Sequence, residues 1–389
     1  MNPPGQQPPT GQPNPDRPQA GQRVRFSFSF ELQFILKTSA LSDQKNGENL
    51  SRQFTPLEVL RAIILLFEVA GIRVNDLDAA TNSRLGWTVE FAPRPFRLRH
   101  GDDPDVGSSR FSFWGINLKS RVYLDKSVMV YEYGRIFLAF SYAPPFTVIV
   151  NESCSLRINI GLVQENDTRN LQSIGFRYQW VCNFLQSVAK WGRHINSMHP
   201  PERVHTPHDC VVPSTYLTPE DVNMLFNDLQ GDCPDIESLC RLWEIHLPRR
   251  LQPLGIPAYS IRHLRSEPDP QGQNRMPVNT IEFRQHRATL DPVEMDAWMG
   301  FLLGFLYHCV NAPDLTAIEG SNCPQAFWTC RLDPACLFTL VASLGATNEA
   351  NYYFYRWYDH EYNSRGEPLL QLTWPWDNPC VHCRRAMRL

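Results

Sequence analysis

The segment NTIEFRQHRATLDPVEMDAW, residues 279–298, sets Glu282, Arg284 and His286 at alternate positions just ahead of a helix start. On an extended strand alternate side chains share a face, so this carboxylate, guanidinium and imidazole point one way while Ile281, Phe283 and Gln285 point the other. A single strand of this build is ordinarily half exposed, with its charged side in water. If several such strands share one sheet, their polar faces become a binding surface, because ligand sites combine a few convergent polar groups with an apolar scaffold.

Three more segments have the same build. In RFSFSFELQF, Phe26, Phe28, Phe30, Leu32 and Phe34 alternate with Ser27, Ser29, Glu31 and Gln33. In FSFWGINLKS, Trp114, Ile116 and Leu118 alternate with Phe113, Gly115 and Asn117. In SLRINIGL, Leu156, Ile158, Ile160 and Leu162 stand opposite Ser155, Arg157, Asn159 and Gly161. PFTVIVN reads as a buried strand.

Between these strands lie helix signals. Thr55, Pro56 and Glu58 form a capping box with proline at the first helical position, and Gly71 closes that helix, which should cover the apolar side of the sheet. Further helices are expected from Ile174 to about Ser197, from Thr218 and Pro219, from Asp291 with Pro292 and Glu294 towards Val310, and from Asp333 to Gly345. Two-faced strands scattered among helices, without strict alternation, indicate an α+β fold.

Composition bounds the partners. The chain has 389 residues, 42% of them hydrophobic and 12% aromatic, enough for a large core. A net charge of -3 gives no basic footprint for nucleic acid. The longest apolar run, residues 62–67, falls far short of a membrane span, and no secretory leader is evident, so no membrane association and a cytoplasmic setting are expected. Residues 1–23 are a Pro- and Gln-rich tail expected to be disordered. Neither a P-loop nor a dinucleotide-type glycine loop occurs, so a bound nucleotide would be held by side chains.

NTIEFRQHRATLD, with Trp298 in the helix that follows, resembles the signature segment of the fungal and bacterial amidoligase family, whose members typically carry EFRQHEGTLD there. SFELQ on the first strand, SCSLRINIG, INSMHPPERV and ANYYFYRW extend the likeness in blocks over roughly residues 24–360. The resemblance implies an antiparallel sheet of the glutamine synthetase and glutamate–cysteine ligase type, curved around a site and packed with helices. It places that catalytic domain at residues 24–363, with a tail at 364–389. It also implies ATP-dependent ligation of a small-molecule or peptide carboxylate to an amine through an acyl phosphate, with ATP and Mg²⁺ as cofactors.

Such chemistry needs carboxylates to hold Mg²⁺ against the phosphates and guanidinium groups to neutralise moving charge. The resemblance thus makes Glu31 and Glu282 metal ligands, Arg284 a phosphate clamp and His286 a polar partner, the four together forming the catalytic set. Arg157 and Asn159 join Arg284 in holding the cofactor. The departures are numerous. Gln33, Asn117, Arg157 and Asn159 stand where the family pattern has Glu, Glu, His and His; Gly192 replaces an acid, and Arg287 a glutamate. Each loss removes a metal ligand, and the added arginines favour an anion. Two readings follow: a ligase with a rearranged site, or a catalytically degenerate relative, a pseudoenzyme, that binds a nucleotide, an anionic metabolite or a protein.

Other motifs carry less. CVHC at residues 380–383 is a lone CxxC that Cys323, Cys330 and Cys336 could complete as a zinc site, against the plainer reading of free buried thiols. Cys154 reads as a packed thiol, and His205 and His208 as loop residues.

Overall fold

A computed structural model of the chain describes residues 23–45, 48–75, 86–92, 96–98, 101–143, 146–165, 171–196, 198–199, 210–211, 235–245, 256–265, 279–311, 348–349 and 352. The expected helices at Thr218 and Asp333, the tails at 1–22 and 364–389, and the cysteines of the candidate zinc site lie outside these residues.

The strands are β1 (Arg23–Ser39), β2 (Leu41–Lys45), β3 (Glu48–Arg52), β4 (Thr88–Phe91), β5 (Phe111–Lys119), β6 (Phe146–Ile149), β7 (Leu156–Glu165), β8 (Leu171–Ile174), β9 (Cys210–Val211), β10 (Ile256–Pro257), β11 (Tyr259–Ser260) and β12 (Thr280–Phe283). The helices are α1 (Pro56–Val69), α2 (Lys126–Ser141), α3 (Tyr178–Asn196), α4 (Ile236–Ile245) and α5 (Pro292–Asn311). An eight-stranded sheet runs β11-β12-β7-β1-β5-β4, with β6 paired to β1 and β8 to β7, and every pairing in it is antiparallel. The fold is therefore α+β with an open antiparallel sheet.

Strand β1 organises the sheet. Its 17 residues span roughly 55 Å at about 3.3 Å each, long enough to pair with β5 along one edge and with β7 and β6 in succession along the other. The alternation read from the sequence is the alternation in space: Phe28, Phe30, Leu32, Phe34 and Leu36 are buried on one side, as are Leu156, Ile158, Ile160 and Leu162 of β7.

Helices cover this apolar side. Phe30 meets Tyr133 and Phe34 meets Phe140 of α2, while Phe283 meets Phe184 of α3, which in turn meets Phe305 of α5. Helix α1 starts at the Thr55–Glu58 capping box and ends at Gly71, whose φ of 67° suits a residue without a Cβ. The segment expected to begin a helix at Ile174 is instead strand β8 up to that residue, because Leu171–Ile174 pairs with the end of β7; α3 starts at Tyr178.

Candidate functional site

The opposite face of the sheet is polar, and the register arranges it in rows, since residues directly paired across antiparallel strands share a face. One row carries Ser260, Glu282, Asn159 and Ser29 across β11, β12, β7 and β1. The next carries Arg157, Glu31, Lys119 and Thr88 across β7, β1, β5 and β4. The third carries Gln33, Asn117 and Glu90 across β1, β5 and β4. Glu31, Arg157, Asn159, Glu282 and Arg284, named from the sequence, thus gather on one face.

Both carboxylates of the expected metal pair are committed to guanidinium groups. Arg157 Nη1 lies 3.4 Å from Glu31 Oε2, and Arg284 Nη2 lies 2.6 Å from Glu282 Oε1. Glu282 and Arg284 are each 3% exposed. Burial alone would raise the Glu282 carboxyl; hydrogen bonding from His263 and the charge and hydrogen bond of Arg284 outweigh it and hold the group down at about 2.

Sequence reasoning missed two of the partners of Glu282. Arg262 Nη2 and His263 Nε2 stand 3.7 Å and 3.5 Å from its Oε2, carried on the short 3₁₀ turn Arg262–Leu264 that follows β11. The two-residue pairing of β11 with β12, with the Asn279 N–H donating to the His263 carbonyl at 3.1 Å, brings this turn alongside Glu282. YSIRHL has no periodicity that announces such a short strand, although its adjacent arginine and histidine were a visible basic pair.

His286 does not join the row. Phe283 pairs with Ile158, and the next bridge pairs Arg287 with Ser155, so four steps along the signature segment match three along β7. The extra residue is a β-bulge, which shifts side-chain parity by one. His286 therefore turns to the helix side. Its Nδ1–H donates to the Arg287 carbonyl at 2.7 Å, its Nε2 lies 3.5 Å from Glu294 Oε1, and its ring packs 5.3 Å from Trp298 of α5 and 5.4 Å from His199. Arg287 takes the polar-face position instead, opposite Ser155, whose hydroxyl donates to Gln33 Oε1 at 2.9 Å. The expected placement of His286 beside Glu282 is thus corrected, and the third row begins at Arg287.

Chemically, the face favours anions over metal ions. Glu31 and Glu282 stand on the two strands flanking β7, two spacings across and two residues along, about 12 Å apart at the backbone, with Arg157 and Asn159 between them. Among the described residues no three His, Cys, Asp or Glu side chains come together as metal ligands. Arg157, Arg284, Arg287, Arg262 and Lys119 stand against Glu31, Glu282 and Glu90, of which Glu90 pairs with Lys119 at 2.7 Å. Magnesium takes hard oxygen ligands and does not fit carboxylates already held by arginines, whereas phosphate oxygens fit guanidinium forks. No helix among the described residues is long and apolar enough to cross a membrane. Neither protein-family models nor characterised protein sequences give a match to this chain.

Proposed function

We propose that the polar face binds an anionic ligand of the nucleotide-phosphate class, in a divergent amidoligase-like protein that has lost Mg²⁺-dependent ligation. One observation carries this reading: Glu31 and Glu282, the two carboxylates that the resemblance makes metal ligands, are each paired with an arginine of the same face. Arg157 stands where the family pattern has a metal-binding histidine, and the bulge delivers Arg287 to the same face. Arginine presents five donors in a fixed fork, so one guanidinium can bridge a carboxylate and a phosphate together. Asn159, between Arg157 and Glu282, offers an amide to ribose or phosphate oxygens.

Calorimetric titration with pyrophosphate and with ATP, each in EDTA and in excess Mg²⁺, tests the reading. Binding is expected in both media with little difference, weakened by Arg157→Ala and Arg287→Ala, and ATP is not turned over with amino-acid carboxylates and amines. Binding that requires Mg²⁺, followed by ADP release with a carboxylate and an amine, would overturn the proposal and make the protein a ligase.

A further inference from the structure

Helix α2 is apolar on two sides. The side turned to the sheet carries Met129, Tyr133, Ile136 and Phe140, all buried. The opposite side carries Val128, Tyr131, Arg135, Leu138 and, at the C-cap, Tyr142. These follow one another by three and four residues in turn, the spacing of a seam along which one helix packs on another. The four apolar members are 41% to 78% exposed. Neighbouring helices widen the surface. Leu65 and Val69 of α1 are 60% and 79% exposed, and Gly71, two residues beyond Val69, lies against Arg135, whose Nη2 would stand 3.0 Å from a Cβ there. On the other flank Gly134 lies against Pro292 of α5, and the adjoining Val293 is 59% exposed.

At about 150–250 Å² for a fully exposed residue of this size, the patch presents on the order of 800 Å². A monomer rarely leaves more than about 300–600 Å² in its largest apolar patch, whereas a standard interface takes about 800 Å² from each partner. The row is also complementary to itself. Turned about a two-fold axis at Arg135, it meets its own reverse, with Tyr131 against the second copy's Leu138 and Val128 against the second copy's Tyr142. Each ring then faces an aliphatic side chain, and every contact occurs twice, as an isologous interface requires. Arg135 is drawn off the seam. Its guanidinium stacks 5.4 Å from the Tyr131 ring and reaches the C-terminal end of α1, the negative end of that helix dipole, whose last turn has no basic residue of its own. We propose that this surface is the interface of a two-fold homodimer in which α2 packs antiparallel on α2 of a second copy. The polar sheet face lies on the far side of the sheet and stays open in both copies, so the interface stands apart from the anion reading.

Sedimentation velocity of the full chain tests the dimer. At about 50 µM, a concentration that populates interfaces of this size, the expected mass is twice the 44.8 kDa of one chain. Tyr131→Lys and Leu138→Glu, each alone, should give a monomer, because each sets an unpaired charge against an apolar side chain. Carried together on one chain they face each other across the two-fold axis and should restore the dimer. Tyr307→Glu, at an exposed residue about 21 Å beyond Val293 along α5, should leave it intact. A natural chain that stays monomeric, as expected where another segment of the chain covers this face, would overturn the interface. So would a dimer that survives Leu138→Glu, or a double variant that remains monomeric.

Discussion

Glu282 and Arg284 are a buried ion pair, and the energetics of such pairs are asymmetric. Desolvation nearly cancels the attraction while both charges are present, but removing one partner strands the other, at a cost of about 3–5 kcal/mol. Arg284→Ala leaves Glu282 with Arg262 and His263 still beside it, so it is expected to destabilise the protein by less than that, about 1.5–3 kcal/mol in urea unfolding, and Glu282→Ala with Arg284→Ala together by clearly less than the sum of the singles. The depressed Glu282 carboxyl also sets a pH dependence. Its pKa lies at about 2 in the folded chain against an ordinary value of 4.5, so its contribution to stability is complete above about pH 4.5 and is lost as pH falls towards 2. Exposed Glu58, held down to about 2 by Arg52 and Thr55, titrates in the same window. Urea midpoints measured from pH 5 to pH 2.5 should fall more shallowly for Glu282→Gln than for the natural protein; identical slopes would show that Glu282 is not held down.

Strand β12 is short, and its fit against β7 depends on Gly161. A Cβ there would lie 3.1 Å from Thr280 Cγ2, 3.2 Å from the Asn279 carbonyl and 3.3 Å from Ser27 Oγ. Gly161→Val should push β12 from its place and cost about 1–3 kcal/mol by overpacking. Pyrophosphate affinity should fall with it, because Arg284 and the bulge follow β12. Unchanged stability and affinity would show that the strand yields without moving the arginines. The bulge itself is an element-level device. It keeps the segment paired to β7 while sending His286 into the helix layer and Arg287 to the polar face.

The whole molecule divides its work between the two faces of one sheet. Phe283 is 1% exposed and packs against Phe184 and Tyr259, so Phe283→Ala is expected to cost about 3–5 kcal/mol. Arg157 lies on the other face with its Nη1 3.4 Å from Glu31 Oε2, and Arg157→Ala should cost less stability than Phe283→Ala while weakening pyrophosphate binding. Urea unfolding and calorimetry on the two variants separate these roles. Loss of stability from Arg157→Ala with none from Phe283→Ala would mean that the faces are exchanged.

The sequence by itself determined the α+β class, the main strands and the polar-face placement of Glu31, Arg157, Asn159 and Glu282. Strand alternation is local, fixed by the two-residue period of the backbone, and Phe28 to Leu36 write it without interruption. The Thr55–Glu58 capping box was legible for the same reason, since its partners lie three residues apart. Tertiary structure decided what depends on pairing between distant segments. The position of His286 hung on one extra residue opposite β7, which no pattern within residues 279–298 contains. Arg262 and His263 reached Glu282 through a two-residue strand and a backbone hydrogen bond from Asn279 to His263. The pairing of both site carboxylates with arginines arises from cross-strand register, a relation between segments that neither segment specifies alone.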